Sequence, residues 1–166
     1  MKIDLSINDI DALIFDFDGV LTNNLVFLDD KGNELVCCSR SDGLAFDVLR
    51  KLEKPSYIIS TEKNLVVSSR AKKLKIEAIQ GVSNKVEALL ELIKAHDYDL
   101  KRILFVGNDL NDYSAMKLCG HTACPSDSHW EIKKLSNVVL DAQGGKGVVR
   151  ELLEKTLNIN FKQYFT

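Results

Sequence analysis

Proline is scarce in this chain of 166 residues, with two in all, and tryptophan occurs once. No stretch is rich enough in proline, glycine or serine to link two domains, and no repeat or low-complexity tract interrupts the chain. Long apolar runs are missing too: the longest, such as Ile103 to Val106, fall far short of the roughly 20 residues that cross a bilayer, which speaks against a membrane protein. Charge of one sign does not dominate. Lys and Arg total 22 against 24 Asp and Glu, a net of -2 without a block of like charge, so a nucleic-acid footprint and a polybasic membrane patch are excluded and a small partner is expected. Met1-Lys2-Ile3-Asp4 carries an acid before any apolar stretch of the secretory kind, and a cytoplasmic address is expected.

Cysteine is sparse, and its four copies fit that address. Cys37 and Cys38 are adjacent and belong on opposite faces of a strand, while Cys119, His121 and Cys124 lack a fourth ligand at finger spacing. Reduced packing thiols are expected rather than a zinc site. With 45% hydrophobic and 28% charged residues, the chain reads as one globular domain over residues 1–166, able to bury a sizeable core.

Ala12-Leu13-Ile14-Phe15 has the pattern of a strand buried on both faces. Leu25 to Leu28 and Glu34 to Cys37 flank a short loop with Gly32 and predict a β-hairpin, a flap over about 23–38. Ser41 is placed as the cap of a helix whose apolar positions are Leu44, Val48, Leu49 and Leu52, with Pro55 beyond its end. Strands then alternate with helices: Tyr57–Ile59, a helix from about Asn64 to Leu74, Ile76–Ile79, and a helix from Asn84 with the stripe Val86, Leu89, Leu90, Ile93. Ile103–Val106, a helix near Asp112 to Leu118, Thr122–Cys124, a helix after Ser128, Val138–Leu140 and a helix from Val148 to Leu157 complete the chain. Six strands interleaved with helices imply an α/β, doubly wound, Rossmann-like parallel sheet. Trp130 is either a core plug or an interface anchor, and the aromatic tail over about 158–166 either docks on a neighbouring subunit or frays.

In such a sheet, ligands bind beyond the carboxyl ends of the strands. The polar residues found there are Asp16 and Asp18 after the first strand, Ser60 and Thr61 after the second, Lys85 after the third, and Asn108, Asp109 and Asp112 after the fourth. Gly144-Gly145-Lys146-Gly147 is either a phosphate-cradling loop or a flexible helix entry. The ordered set resembles the four motifs of the haloacid dehalogenase (HAD) superfamily of phosphatases. Asp16-Phe17-Asp18-Gly19-Val20-Leu21-Thr22 is similar to its first motif, Ser60 and Lys85 fall at the second and third, and Gly107 to Asp112 resembles the fourth. Within the superfamily the chain resembles the capless KdsC-like group, phosphatases of 3-deoxy-2-keto sugar acid phosphates. The residues that carry this are the hairpin, Arg40-Ser41-Asp42-Gly43-Leu44, Gln80 to Lys85 and Gly144 to Glu151.

The chemistry of phosphoryl transfer agrees, since a loose transition state needs positioning and charge neutralisation. Asp16 would be the nucleophile, forming an aspartyl phosphate, and Asp18 the acid that protonates the leaving oxygen and then deprotonates water. So many carboxylates facing a phosphate dianion require a hard cation, Mg²⁺. The resemblance implies that Asp16, the Asp18 carbonyl and either Asn108 or, in its place, Asp109 hold it, with Asp109 and Asp112 otherwise behind the metal or its water, and with Ser60 and Lys85 on the phosphoryl oxygens. The family places a carboxylate where this chain has Asn108, which keeps a second reading open: a catalytically weak or silent oligomerisation or binding domain. A phosphoacceptor receiver domain is disfavoured, because the third strand ends without an Asp.

No cap domain fits between the motifs, and an uncovered site would be wet, so a homo-oligomer is expected, by resemblance a tetramer with the hairpin over a neighbour's site. For the leaving group, Arg70 and Lys73 are either a carboxylate-binding pair or a solvated helix face, and Glu62 is placed to accept sugar hydroxyls. Relatives acting on Kdo 8-phosphate often carry Arg after the second motif. Glu62 resembles the branch associated with nine-carbon, sialic-acid-like 9-phosphates.

Overall fold

Two four-residue runs, Ala12–Phe15 and Ile103–Val106, are buried at every position and lie parallel, paired from Ala12 with Ile103 to Phe15 with Val106. In the structure, a computed structural model that describes residues 5–165, they form the middle of the molecule. Met1–Asp4, read above for a leader, and Thr166 of the tail lie outside the described residues. In chain order the elements begin with β1 (Ala12–Phe15), β2 (Thr22–Leu28), β3 (Glu34–Cys38), α1 (Arg40–Lys51), β4 (Ser56–Ser60), α2 (Val66–Leu74) and β5 (Glu77–Gln80). They continue with α3 (Lys85–His96), β6 (Ile103–Val106), α4 (Leu110–Met116), β7 (His121–Cys124), α5 (Trp130–Leu135), β8 (Val138–Val139) and α6 (Val148–Glu151).

Six strands form one parallel sheet in the order β5-β4-β1-β6-β7-β8, and β2 and β3 form a separate antiparallel hairpin. Alternate residues of the central strands serve opposite faces. Leu13, Phe15, Leu104 and Val106 pack with α1, α2 and α6, while Ala12, Ile14, Ile103 and Phe105 pack with α3, α4 and α5. The chain leaves β1 toward β4 and β5 and returns on the other side at β6, so strand order reverses between β1 and β6. A crevice opens at their carboxyl ends. Among the described residues no helix is long and apolar enough to cross a membrane.

Several sequence expectations change. Ser39, not Ser41, caps α1, because Ser39 holds the extended backbone and accepts the Ser41 N–H. The buried face of α1 is Asp42, Ala45, Phe46, Val48 and Leu49, leaving Leu44 exposed. That of α3 is Lys85, Ala88, Leu89 and Leu92, leaving Leu90 43% exposed. In both helices a charged residue opens the core-facing stripe, which apolar periodicity alone cannot register. The last helix passes from α6 into a π-helical turn at Leu152–Thr156. Trp130 is 63% exposed and plugs no core. The tail packs on its own chain: Phe161 is buried under the Arg150 guanidinium, and the Tyr164 carbonyl accepts from Lys51 Nζ. The four cysteines are free thiols.

Candidate active site

Asp16 follows β1 directly, and its N–H donates to the Val106 carbonyl at 2.9 Å, continuing the β1–β6 ladder into the crevice. Its carboxylate is buried, with Oδ1 2.6 Å from Lys85 Nζ. Lys85 opens α3 immediately after Asn84, whose side chain caps the helix by accepting the Val86 N–H. The same Nζ stands 2.6 Å from Asp112 Oδ1. Asp112, fully buried in α4, accepts with Oδ2 from the Asn108 N–H at 2.9 Å and the Asp109 N–H at 3.3 Å, so its carboxylate shapes the loop after β6.

Burial, and then the charge of Asp112, push the Asp16 carboxyl up to about 7 against the pull of Lys85. For Lys85, burial disfavours the ammonium, but Asp16 and Asp112 outweigh it and its pKa is raised. With both acids ionised, the three side chains sum to one negative charge out of contact with water. A further cation at Asp16 would favour its ionised form.

The donor set fits such a cation. The side-chain amide of Asn108 ends 3.1 Å from Asp16 Oδ2 and 2.9 Å from the Asp18 carbonyl oxygen. Turned nitrogen-first it donates to both. Turned oxygen-first, its oxygen stands from each of them at a separation close to the edge of an Mg²⁺ octahedron, about 2.9 Å for Mg–O distances near 2.0–2.1 Å. Asn108, not Asp109, is thus the side chain that meets Asp16 and Asp18. Asp109 is exposed and caps α4 instead, forming a capping box with Asp112.

Asp18 is half-buried, and burial, then the charge of Glu62, raise its pKa against a hydrogen bond from Thr22 Oγ1 at 3.4 Å. Such a carboxyl holds a proton more readily than one in water. Ser60 ends β4, two residues beyond Ile58, which pairs with Phe15. Its buried hydroxyl accepts the Glu62 N–H at 3.1 Å and has its own proton to donate. The turn role and the phosphoryl-binding role of Ser60 are therefore compatible.

The structure brings Asp16, Asp18, Lys85, Asn108 and Asp112 together, with Ser60 and Glu62 on the neighbouring strand end. Arg70 and Lys73 stand apart, lining a cleft of about 290 Å³ between α1 and α2 with Arg40, Leu44 and Asp47. Arg70 Nη2 donates to the Ser39 carbonyl at 2.7 Å. Sequence reasoning gave no role to Thr22, which orients Asp18, or to Glu34 on the hairpin, which accepts from Asn64 Nδ2 at 3.4 Å and adds negative charge near Asp18. Only the Thr closing the first motif signalled the former, and nothing local signalled the latter.

Comparisons with known proteins place the chain in a family. The profile of the haloacid dehalogenase-like hydrolases matches residues 29–152. The 3-deoxy-D-manno-octulosonate 8-phosphate phosphatase KdsC of Escherichia coli K12 is 30% identical over 150 residues, covering 90% of this chain and 80% of the relative. Among solved structures, a Streptomyces avermitilis protein named for the HAD hydrolase family superposes with a TM-score of 0.91 at 36% identity, covering 95% of this chain and 96% of that one. The 3-deoxy-D-manno-octulosonate 8-phosphate phosphatase of Moraxella catarrhalis, crystallised with a magnesium ion, a phosphate ion and a KDO molecule, gives 0.86 at 28% identity, covering 95% and 92%.

Proposed function

Since the chain belongs to the haloacid dehalogenase-like hydrolases, we propose that it is a Mg²⁺-dependent phosphomonoesterase acting on a 3-deoxy-2-keto sugar acid phosphate. The buried Asp16–Lys85–Asp112 triad, facing the three oxygens of Asp16, Asp18 and Asn108, carries this reading. The Asp16 carboxylate attacks phosphorus while Asp18 gives its proton to the departing sugar oxygen, whose bond to phosphorus breaks. Asp18 then takes a proton from a water whose oxygen displaces Asp16 from phosphorus, releasing inorganic phosphate and restoring both carboxyl groups. Lys85 offsets the charge of the phosphorylated Asp16, and the Ser60 hydroxyl donates to a phosphoryl oxygen. Bound by Asp16, the Asp18 carbonyl and Asn108, Mg²⁺ supplies the positive charge that lets a phosphate dianion approach these carboxylates. Asp112 holds Lys85 and the loop of Asn108 in place, and Asp109 holds the start of α4.

The relatives named above support an eight-carbon Kdo 8-phosphate substrate. Glu62, whose charge acts on Asp18, favours a second reading, a nine-carbon acid with more hydroxyls to donate. Arg70 and Lys73 lie in the separate cleft between α1 and α2, with Arg70 bonded to the Ser39 carbonyl, so this reading assigns them no contact with the substrate carboxylate. The comparison of kcat/KM for the two acids against simple hexose phosphates tests this: a preference of about a hundredfold or more for one acid is expected, and equal turnover of hexose phosphates removes the sugar-acid assignment. The weak or silent alternative rests on Asn108, and its test is turnover of a generic aryl phosphate with Mg²⁺. We also propose a homo-oligomer, a tetramer by family resemblance, whose hairpin covers a neighbouring copy's site.

A further inference from the structure

We propose that Asp42 is a positioning residue for Asp18, acting through the glycine loop before α6. The inference rests on the phosphatase reading, in which Asp18 is the proton donor. Asp42 lies in α1, the helix that follows the hairpin, and is 1% exposed. Its Oδ1 accepts from the N–H groups of Val149 at 2.9 Å and Arg150 at 3.0 Å, in the first turn of α6. The residue at the start of that turn is Gly147, which has no side chain to cap it, so Asp42 does so from another helix.

The loop pinned in this way lies flat on the backbone that carries Asp18. Gly145 N–H donates to the Val20 carbonyl at 3.0 Å, and Gly144 N–H donates to Asp127 Oδ1 at 2.9 Å. There is no space between the two segments: a Cβ on Gly144 would stand 2.3 Å from the Gly19 carbonyl oxygen, and one on Gly145 2.6 Å from the Asn23 nitrogen. Beneath them, Thr22 Oγ1 accepts from the Gly19 N–H at 3.2 Å and donates to Asp18 Oδ1 at 3.4 Å. Thr22 orients Asp18, Gly144 and Gly145 back the Thr22 main chain, and Asp42 fixes the far end of their loop.

A strut that aims the proton donor is distinguished from a brace of the whole fold by leaving group. Phenyl phosphate needs its departing oxygen protonated, whereas 2,4-dinitrophenyl phosphate expels a stabilised phenolate without help. Their kcat/KM values, which report the steps through loss of the leaving group, are compared for the full chain with Mg²⁺. Asp42→Ala is expected to lose about tenfold or more on phenyl phosphate and less than about twofold on the dinitrophenyl ester. Asp42→Asn, which keeps the Oδ1 acceptor, restores phenyl phosphate turnover to within about twofold of the parent. If Asp42→Ala does not fold, Gly144→Ala, which presses on Gly19 from the loop side, carries the same comparison. Equal losses on both esters, or no loss on either, overturn the proposal alone. A parent enzyme inactive on both esters overturns the phosphatase reading and this inference with it.

Discussion

Lys85 Nζ stands 2.6 Å from Asp112 Oδ1 with both side chains shut off from water, and the same nitrogen is equally close to Asp16. One buried cation thus answers two buried carboxylates. Removing it leaves two uncompensated acids, whereas removing Asp112 leaves a matched pair. Lys85→Met is therefore expected to cost about 3–5 kcal/mol of stability and Asp112→Asn markedly less. Urea unfolding of the two variants checks the order, and equal losses would mean that Lys85 is not the shared partner.

Asp16 is placed as the nucleophile, so Asp16→Asn is expected to lower phosphate release by about a thousandfold or more while the fold survives, since an amide occupies the same volume. Turnover within about threefold of the parent rules the assignment out. A chelator is expected to abolish the parent's activity, with excess Mg²⁺ restoring it.

In the proposed site Asn108 would offer the cation a dipole, where the family resemblance implies a charge. Asn108→Asp adds a carboxylate to the set formed with Asp16 and the Asp18 carbonyl. The Mg²⁺ concentration for half-maximal activity is expected to fall about tenfold, equivalent to about 1.4 kcal/mol. An unchanged Mg²⁺ titration would place residue 108 away from the metal.

Residues that lie next to each other along the chain were the legible part of this molecule. Ala12–Phe15 and Ile103–Val106 read as buried strands because burial on both faces leaves an unbroken apolar run, and the acids after them marked the crevice. Legibility failed where chemistry occupies a structural position. Lys85 and Asp42 each take a core-facing slot of a helix, so α3 and α1 present their apolar residues in a pattern rotated from their true buried faces. The bonds of Asp42 to Val149 and Arg150 join distant parts of the chain, and no local pattern encodes such a contact.

Burial pushes the Asp42 carboxyl up to about 6, against the N–H bonds from Arg150 and Val149 that favour its charge, and its Oδ2 is buried without a partner. The folded pKa lies above the unfolded value of 3.8, so the native state binds the proton more tightly between these values. The stabilisation is full below pH 3.8 and is lost as pH rises through about 6. Asp42→Asn removes this titration. Its stability relative to the parent is expected to be more favourable at pH 7.5 than at pH 4 by about 2 kcal/mol. Thermal melts at both pH values measure the difference, and a variant that tracks the parent at both would show that Asp42 stays ionised throughout.

The proposed assembly rests on the hairpin. Phe27 is 70% exposed and Leu35 69%, and these two pair across the ladder of β2 and β3. Leu25, Val26 and Leu28 are exposed beside them. A two-stranded ribbon is marginally stable alone in water, and one that is apolar on both faces needs cover. In the proposed oligomer the ribbon would lie over a neighbouring copy's site, and each copy would give the other's apolar ribbon its cover. The double substitution Phe27→Glu and Leu35→Lys keeps a favourable cross-strand pair within the hairpin while making its face polar. It is expected to shift the sedimenting species to a monomer and to lower kcat/KM on the sugar acid phosphate by about tenfold or more, because the site loses its cover and water enters. A parent enzyme that sediments as a fully active monomer removes the oligomer from this mechanism.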